Sequence, residues 1–210
     1  MTYTTAIIGT GATPDNPSTD GFAMAYRHAK GYKRLDQCQL TACVDIVPEN
    51  ARQFATQWEI REEFVFEETA EMLDVVQPDI VSICVPPHVH ADVVLTCARH
   101  GAPDAIHCEK PMAKTWGECR EMVDACEQAG VQLTFNHQRR FGGPFQTAKQ
   151  LYDDGSIGEL HRIEIGGKNL YDFGSHMFDL AGYITDQQPV DWVLAGIDYS
   201  QENIQFGAHN

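Results

Sequence analysis

Ala105-Ile106-His107-Cys108-Glu109-Lys110-Pro111-Met112-Ala113 (AIHCEKPMA) is the stretch on which the reading of this chain turns. Its first four residues have the make-up of a short buried strand, and Glu109-Lys110-Pro111 follows at that strand's carboxyl end. In an open parallel sheet ligands bind outside the carboxyl ends of the strands, so a lysine placed there can reach one. Pro111 stiffens the turn that aims it. Taken alone, the same residues would also suit a plain surface turn. The segments on either side separate the two readings.

Upstream, Tyr3 to Gly9 (YTTAIIG) is a β-branched strand running into Gly9-Thr10-Gly11. A polar loop, Ala12 to Asp20, follows, and Ser18, Thr19 or Asp20 can cap a helix through Phe22, Ala25, Tyr26 and Ala29. Leu40 to Val44 is a second strand, ending at Asp45. Pro48 to Trp58 is a helix, Phe64 to Phe66 a short strand, and Thr69 caps a helix over Ala70 to Val76. Asp79 to Val85 (DIVSICV) is an apolar run, as expected of a strand covered on both faces. The helix from His90 to His100 closes at Gly101. Downstream of the opening stretch, Thr115 to Ala129 is a helix closed by Gly130, and Val131 to Phe135 a strand. Strand and helix alternate throughout. With right-handed crossovers this predicts an α/β fold, a doubly wound parallel (Rossmann) sheet over residues 1–136.

From residue 137 to residue 210 the alternation stops. Phe145 to Asp153 reads as a helix, Leu160 to Ile165 as a strand, Phe173 to Tyr183 as a helix and Val190 to Tyr199 as a strand. This is the beginning of a second, α+β domain. Two strands make a marginal sheet, so the 210 residues are expected to be a piece truncated at its C-terminus.

Composition narrows the function. The chain is 43% apolar, and no run approaches the roughly 20 residues that span a bilayer. The N-terminus lacks a basic n-region, so no secretory signal is evident and a cytoplasmic protein is expected. Seven cysteines without a C-x-x-C pair predict neither a disulfide framework nor a zinc site. A net charge of −15 argues against nucleic acid, whose phosphates demand Lys and Arg. The acids are spread over the chain, as on an ordinary self-repelling surface or on one adapted to high salt.

Gly9-Thr10-Gly11 after a first strand suggests a dinucleotide loop, in which glycines let the backbone approach a pyrophosphate. The third glycine of that motif is missing, Pro14 standing in its region. Asp45 sits where an acid can bond both ribose hydroxyls of NAD and repel a 2′-phosphate, although much farther along than the roughly 20 residues usual. Pro86-Pro87-His88-Val89-His90 ends another strand, beside the nicotinamide half of a cofactor, or with Pro87 as a strand stop and His90 as the cap of the next helix. His88 and His90 have no third metal ligand at a suggestive spacing. Asp172, His176 and Asp179 fall on one face of a helix, and a histidine flanked by carboxylates is a plausible base near neutral pH. A lone helical histidine can also be purely structural.

GTG after the first strand, VDI with Asp45, VPPHVH, HCEKP and DFGSHMFD, in this order, resemble the glucose–fructose oxidoreductase / inositol dehydrogenase / MocA family. The resemblance implies a Rossmann domain binding NAD, with NADP less favoured, and a second domain with a large, mostly antiparallel sheet that holds substrate and mediates homo-oligomerisation. It implies Lys110, Asp172 and His176 as the catalytic group and a cis Lys110–Pro111 bond. Cofactor contacts are expected from Gly9, Thr10, Gly11 and Asp45, and from Pro86, His90, Glu109 and Lys110. Arg139 and Arg140 are placed to reach substrate, or to pair with surface acids. The function expected is NAD-dependent hydride transfer at a secondary hydroxyl of a sugar, polyol or related compound. A non-catalytic NAD-binding sensor or assembly subunit is the rival reading.

Overall fold

The computed structural model describes residues 2–13, 24–167, 169–196, 204–205 and 208–209. Two compact units divide the chain, Met1–Asn136 and His137–Asn210.

The first unit alternates strands and helices: β1 Tyr3–Ile8, α1 Met24–Tyr32, β2 Cys38–Val44, α2 Pro48–Trp58, β3 Val65–Phe66, α3 Thr69–Val76, β4 Ile80–Ile83, α4 His90–His100, β5 Ala105–Cys108, α5 Trp116–Ala129 and β6 Gln132–Phe135. All six strands lie parallel in the order β3-β2-β1-β4-β5-β6. The order reverses at β1, which opens a crevice between the carboxyl ends of β1 and β4. Asp79 helps to lock these two strands together, its Oδ2 accepting from Thr4 N at 2.6 Å and Thr4 Oγ1 at 2.8 Å.

Both faces of the sheet are covered, by unlike cores. Ala6, Ile8, Val81, Ile83, Ile106 and Cys108 point to one face, against Met72, Leu73, Val94, Leu95 and Met122 of α3, α4 and α5. On the other face Ile7 and Cys43 pack on Ala25, Tyr26 and Ala29 of α1 and on Phe54 of α2. Burying each large aliphatic or aromatic side chain is worth about 1.5–3 kcal/mol, which makes these two layers the main source of stability. The second face changes character across the sheet. Cys43, Ile7, Ser82, His107 and Thr134 are successive register partners, so an apolar row under α1 and α2 becomes a polar row from β4 to β6. The apolar run expected of β4 is therefore dry on one side only: Ser82 gives its other side a hydroxyl.

Helix ends follow the local signals. Thr115 Oγ1 accepts from Glu118 N while the Glu118 carboxylate accepts from Thr115 N, a reciprocal cap at the start of α5. Gly130 closes α5 at φ 71°, a left-handed turn for which glycine carries no Cβ penalty. Thr69, expected as a cap, is instead the first residue of α3, and Glu68 precedes it without a side-chain cap bond. The expected caps Ser18, Thr19 and Asp20, together with Phe22, lie outside the described residues.

The second unit holds α6 Gly143–Asp153, α7 Phe173–Ile184 and the short antiparallel pair β7 Ile204–Gln205 and β8 Ala208–His209. The strands expected over 160–165 and 190–199 are not found: residues 160–165 and 190–196 are without ladder pairing, and 197–199 lie outside the described residues. Alternating apolar residues predispose a segment to extend, but a strand exists only through a partner. Here Trp192 and Leu194 stand 78% and 87% exposed, facing no second strand among the described residues.

Candidate functional site

In the first unit the site is built at the reversal point. Gly9 follows β1 at φ 84°, and Gly11 repeats a positive φ of 63°. A Cβ at Gly9 would lie 2.6 Å from Val85 Cγ1 and 2.8 Å from Val85 N, so only glycine lets the loop pass this close to the end of β4. Gly9 N donates to Val44 O at 2.8 Å, which carries the β1–β2 ladder into the loop.

Asp45 organises the loop from the neighbouring strand end. Its Oδ2 accepts from Thr10 Oγ1 at 3.0 Å and Gly11 N at 2.8 Å, and its Oδ1 accepts from Val47 N at 2.8 Å. Asp45 is thus bonded both to the glycine loop and within the turn that follows β2. It fastens the glycine loop, and its carboxylate stands at the end of β2, where a dinucleotide's adenosine ribose would lie. Ile46, next in the chain, is 85% exposed. The close-packed glycine turn and the adjacent carboxylate fit a dinucleotide.

The Lys110 turn follows β5, which pairs with β4. The Lys110–Pro111 bond is cis, as the family resemblance implied. Pro86 is exposed just beyond the end of β4. His90 and Glu109 are placed otherwise than expected. His90 is fully buried, its Nδ1 2.9 Å from Pro111 O and its Nε2 2.9 Å from Val85 O. Burial pushes its pKa below the usual value, against the pull of these carbonyls. The neutral ring donates to one of them, and its place between the two ties the β4 end to the Lys110 turn instead of meeting a ligand.

Glu109 is only 6% exposed and faces inward. Its Oε1 accepts from His28 Nε2 at 2.8 Å and from Asn136 Nδ2 at 2.6 Å, and its Oε2 accepts from Lys110 N at 3.3 Å. Burial alone would raise this carboxyl, but the bonds from His28 and Asn136 outweigh it and leave the pKa below its usual value. His28 completes the network through Nδ1, 2.6 Å from Ser82 Oγ. A serine, a histidine and a carboxylate thus stand in line, but Ser82 is fully buried and beyond the reach of a substrate. His107 lies beside His28 with ring centroids 5.2 Å apart, its Nδ1 2.9 Å from Thr134 Oγ1. Burial first, then the neighbouring His28, lowers His107 to a pKa of about 4.

His28 and Asn136 were missed by sequence reasoning. The one available signal was a histidine on the otherwise apolar inner face of a helix, which acquires meaning only from partners far along the chain.

In the second unit, Asp172 precedes α7, and Asn169 Oδ1 accepts from both Asp172 N and Phe173 N, at 3.1 and 2.7 Å. His176, one turn further on, is 5% exposed and meets the ring of His137 edge-on at 5.7 Å. His137 is a third residue that the sequence did not single out. Arg140 is engaged with a protein carboxylate, Asp179, and its guanidinium lies 5.5 Å from the Tyr183 ring. The acid that Arg140 meets is not a surface one, since the Asp179 side chain is only 11% exposed. Arg139 lies 4.7 Å over the Phe173 ring. Among the described residues, no group of three His, Cys, Asp or Glu side chains could hold a metal ion, and no helix is long and apolar enough to cross a membrane.

A six-stranded parallel sheet in this order, with a glycine turn and an acid at its reversal point, defines a dinucleotide-binding Rossmann unit. Residues 4–137 match the family described as an oxidoreductase family with an NAD-binding Rossmann fold, and the chain belongs to that family, the glucose–fructose oxidoreductase / inositol dehydrogenase / MocA group. It is 28% identical over 199 residues to D-glucoside 3-dehydrogenase of Escherichia coli, covering 85% of this chain and 53% of that protein. With myo-inositol 2-dehydrogenase of Thermotoga maritima it shares 25% identity over 176 residues, 77% of this chain and 52% of the relative. Among solved structures, aldose–aldose oxidoreductase of Caulobacter crescentus, complexed with glycerol, superposes with a TM-score of 0.74 at 27% identity, covering 90% of this chain and 59% of that one. The chain thus spans about half the length of the curated relatives it matches.

Proposed function

We propose that this chain is the cofactor-binding and catalytic part of an NAD-dependent dehydrogenase acting on a secondary hydroxyl, or the corresponding ketone, of a sugar, polyol or related compound. The observation that carries this reading is the Lys110 turn, which ends β5 in the same unit whose Gly9–Gly11 loop and Asp45 stand at the reversal point. The relatives named for glucosides, inositol and aldoses support the substrate class.

The glycines of the Gly9, Thr10 and Gly11 loop let the backbone approach the pyrophosphate closely, and Asp45 takes the ribose hydroxyls. When bound, the nicotinamide supplies the hydride acceptor or donor. The ammonium of Lys110 stabilises the alkoxide that develops on the substrate oxygen. His176 receives the hydroxyl proton, and Asp172 orients the substrate or holds His176. Arg139 adds a cationic contact to the substrate. The second unit serves as the substrate domain, and its extended apolar segments belong to a mostly antiparallel sheet through which copies of the protein associate. The exposed Val190, Trp192, Val193 and Leu194 support that assignment. The seven cysteines, all free, suit the reducing cytoplasm.

Reduction of NAD and NADP in the presence of myo-inositol, D-glucosides and aldoses tests the activity. Lys110→Ala and His176→Ala should each lower turnover by about 10²-fold or more while NAD still binds. Near-normal turnover in His176→Ala would return that histidine to a structural role.

A further inference from the structure

We propose that His28, Glu109 and Asn136 are positioning residues for Lys110: a buried frame that fixes the turn from inside the sheet and so aims the ammonium at the substrate oxygen. The inference rests on the proposed role of Lys110 and adds to it the device that sets its aim.

Lys110 is anchored through its neighbours on both sides. On the amino side the Glu109 carboxylate turns back to accept from Lys110 N, and its other oxygen is gripped by His28 on α1 and by Asn136 just beyond β6. The backbone is held in register as well, with Glu109 N donating to Ile83 O and Asn136 N to Cys108 O. On the carboxyl side, Pro111 O meets the buried ring of His90. The other groups facing Glu109 are the thiols of Cys84 and Cys108, whose pKa burial raises well above the usual value, and the neutral His107. None of them adds an opposing charge at neutral pH. A buried carboxylate with three donors is costly to build unless each bond is made, and it is then rigid. Such a network is more than sheet stability requires, because the same place could be filled by apolar side chains. Rigidity here is delivered to the peptide that carries Lys110, and a misplacement of about 1 Å in a catalytic group can cost about 10²-fold in rate.

The test uses the whole chain with NAD and the best substrate from the panel above. Glu109→Gln keeps the shape of the side chain and removes the charge that the three donors share. It should lower kcat by about 10- to 100-fold with KM for NAD changed less than about 3-fold, and Asn136→Ala should lower kcat by about 3- to 10-fold. The deciding measurement is the same pair of changes in a Lys110→Ala background, where each should cost less than about 2-fold, because a residue acting through Lys110 has nothing left to aim. Full losses persisting in that background would overturn the proposal. If Lys110→Ala alone is without effect, the reading of Lys110 fails, and the frame has no catalytic group to serve. Amide hydrogen exchange on the cofactor-free chain provides an independent readout that needs no substrate. In both variants the Lys110 and Met112 amides should exchange about 10-fold faster or more, while Val81 and Ile83 keep their protection. Unchanged exchange at Lys110, or faster exchange throughout the sheet, would refute a local frame.

Discussion

Replacing Gly9 by alanine perturbs the loop at the point where it is most tightly confined, and the cost can be worked out from two separate terms. At φ 84° a side chain meets the left-handed penalty, about 1–2 kcal/mol. The added Cβ also lies 2.6 Å from Val85 Cγ1, 2.8 Å from Val85 N and 3.0 Å from the Cys84 carbonyl carbon. Overpacking of this kind costs about 1–3 kcal/mol, and because two of the three contacts are with backbone, a rotamer change cannot relieve them. The sum, about 2–5 kcal/mol, is a large share of the roughly 5–15 kcal/mol that holds a typical domain together. Urea denaturation followed by circular dichroism should show the midpoint falling accordingly, and NADH titrated by fluorescence should bind more weakly because the loop is pushed away from β4. Adding Val85→Ala to Gly9→Ala removes only the Cγ1 contact and should restore the smaller part of the loss. A Gly9→Ala protein within about 0.5 kcal/mol of the parent, or one fully rescued by Val85→Ala, would show that the backbone approach is not the constraint described.

The remaining expectations concern charge. His107 is held neutral in the fold down to a pH of about 4, so between about 6.5 and 4 the unfolded chain binds a proton that the folded chain refuses, and stability falls as the pH drops through that window. His90, also lowered, acts in the same direction. The His107 contribution is at most about 3 kcal/mol. Urea midpoints measured from pH 7.5 to 4.5 should decline less steeply in His107→Asn than in the parent, and parallel curves would contradict a buried neutral ring. Asp45→Asn should weaken NADH by about 10-fold or more while affecting NADPH less, since the repulsion of a 2′-phosphate disappears with the charge. Equal losses for both cofactors would mean that Asp45 serves the loop alone.

The first unit was legible because each of its elements carries a local signal. Apolar runs such as Ala105–Cys108, the closing glycines after His100 and Ala129, and the reciprocal Thr115–Glu118 cap all act within a few residues. The place of Asp45 directly after a strand was legible, but its bonds to Thr10 and Gly11 were not, since they depend on the loop folding back over β2. His90 shows the opposite error. A histidine at a strand end suggests a ligand, yet the ring is drawn inward by the carbonyls of Val85 and Pro111. The segments at 160–165 and 190–196 misled because extension can be read from alternation, whereas pairing depends on a partner that alternation does not name.

The bonds around Glu109 also carry a timetable. His28 lies 81 residues from Glu109 and 108 from Asn136, so the contacts that steady the Lys110 turn are among the most distant in sequence within a unit that ends at Asn136. Contacts of such separation form late, because the entropy of closing a long loop must be met before they contribute anything. During synthesis Glu109 leaves the ribosome with one donor already in place on α1 and waits for the other until β6 has been made and docked. A chain that stalls short of β6 therefore has a loose Lys110 turn, and the setting of that turn depends on completion of the six-stranded sheet.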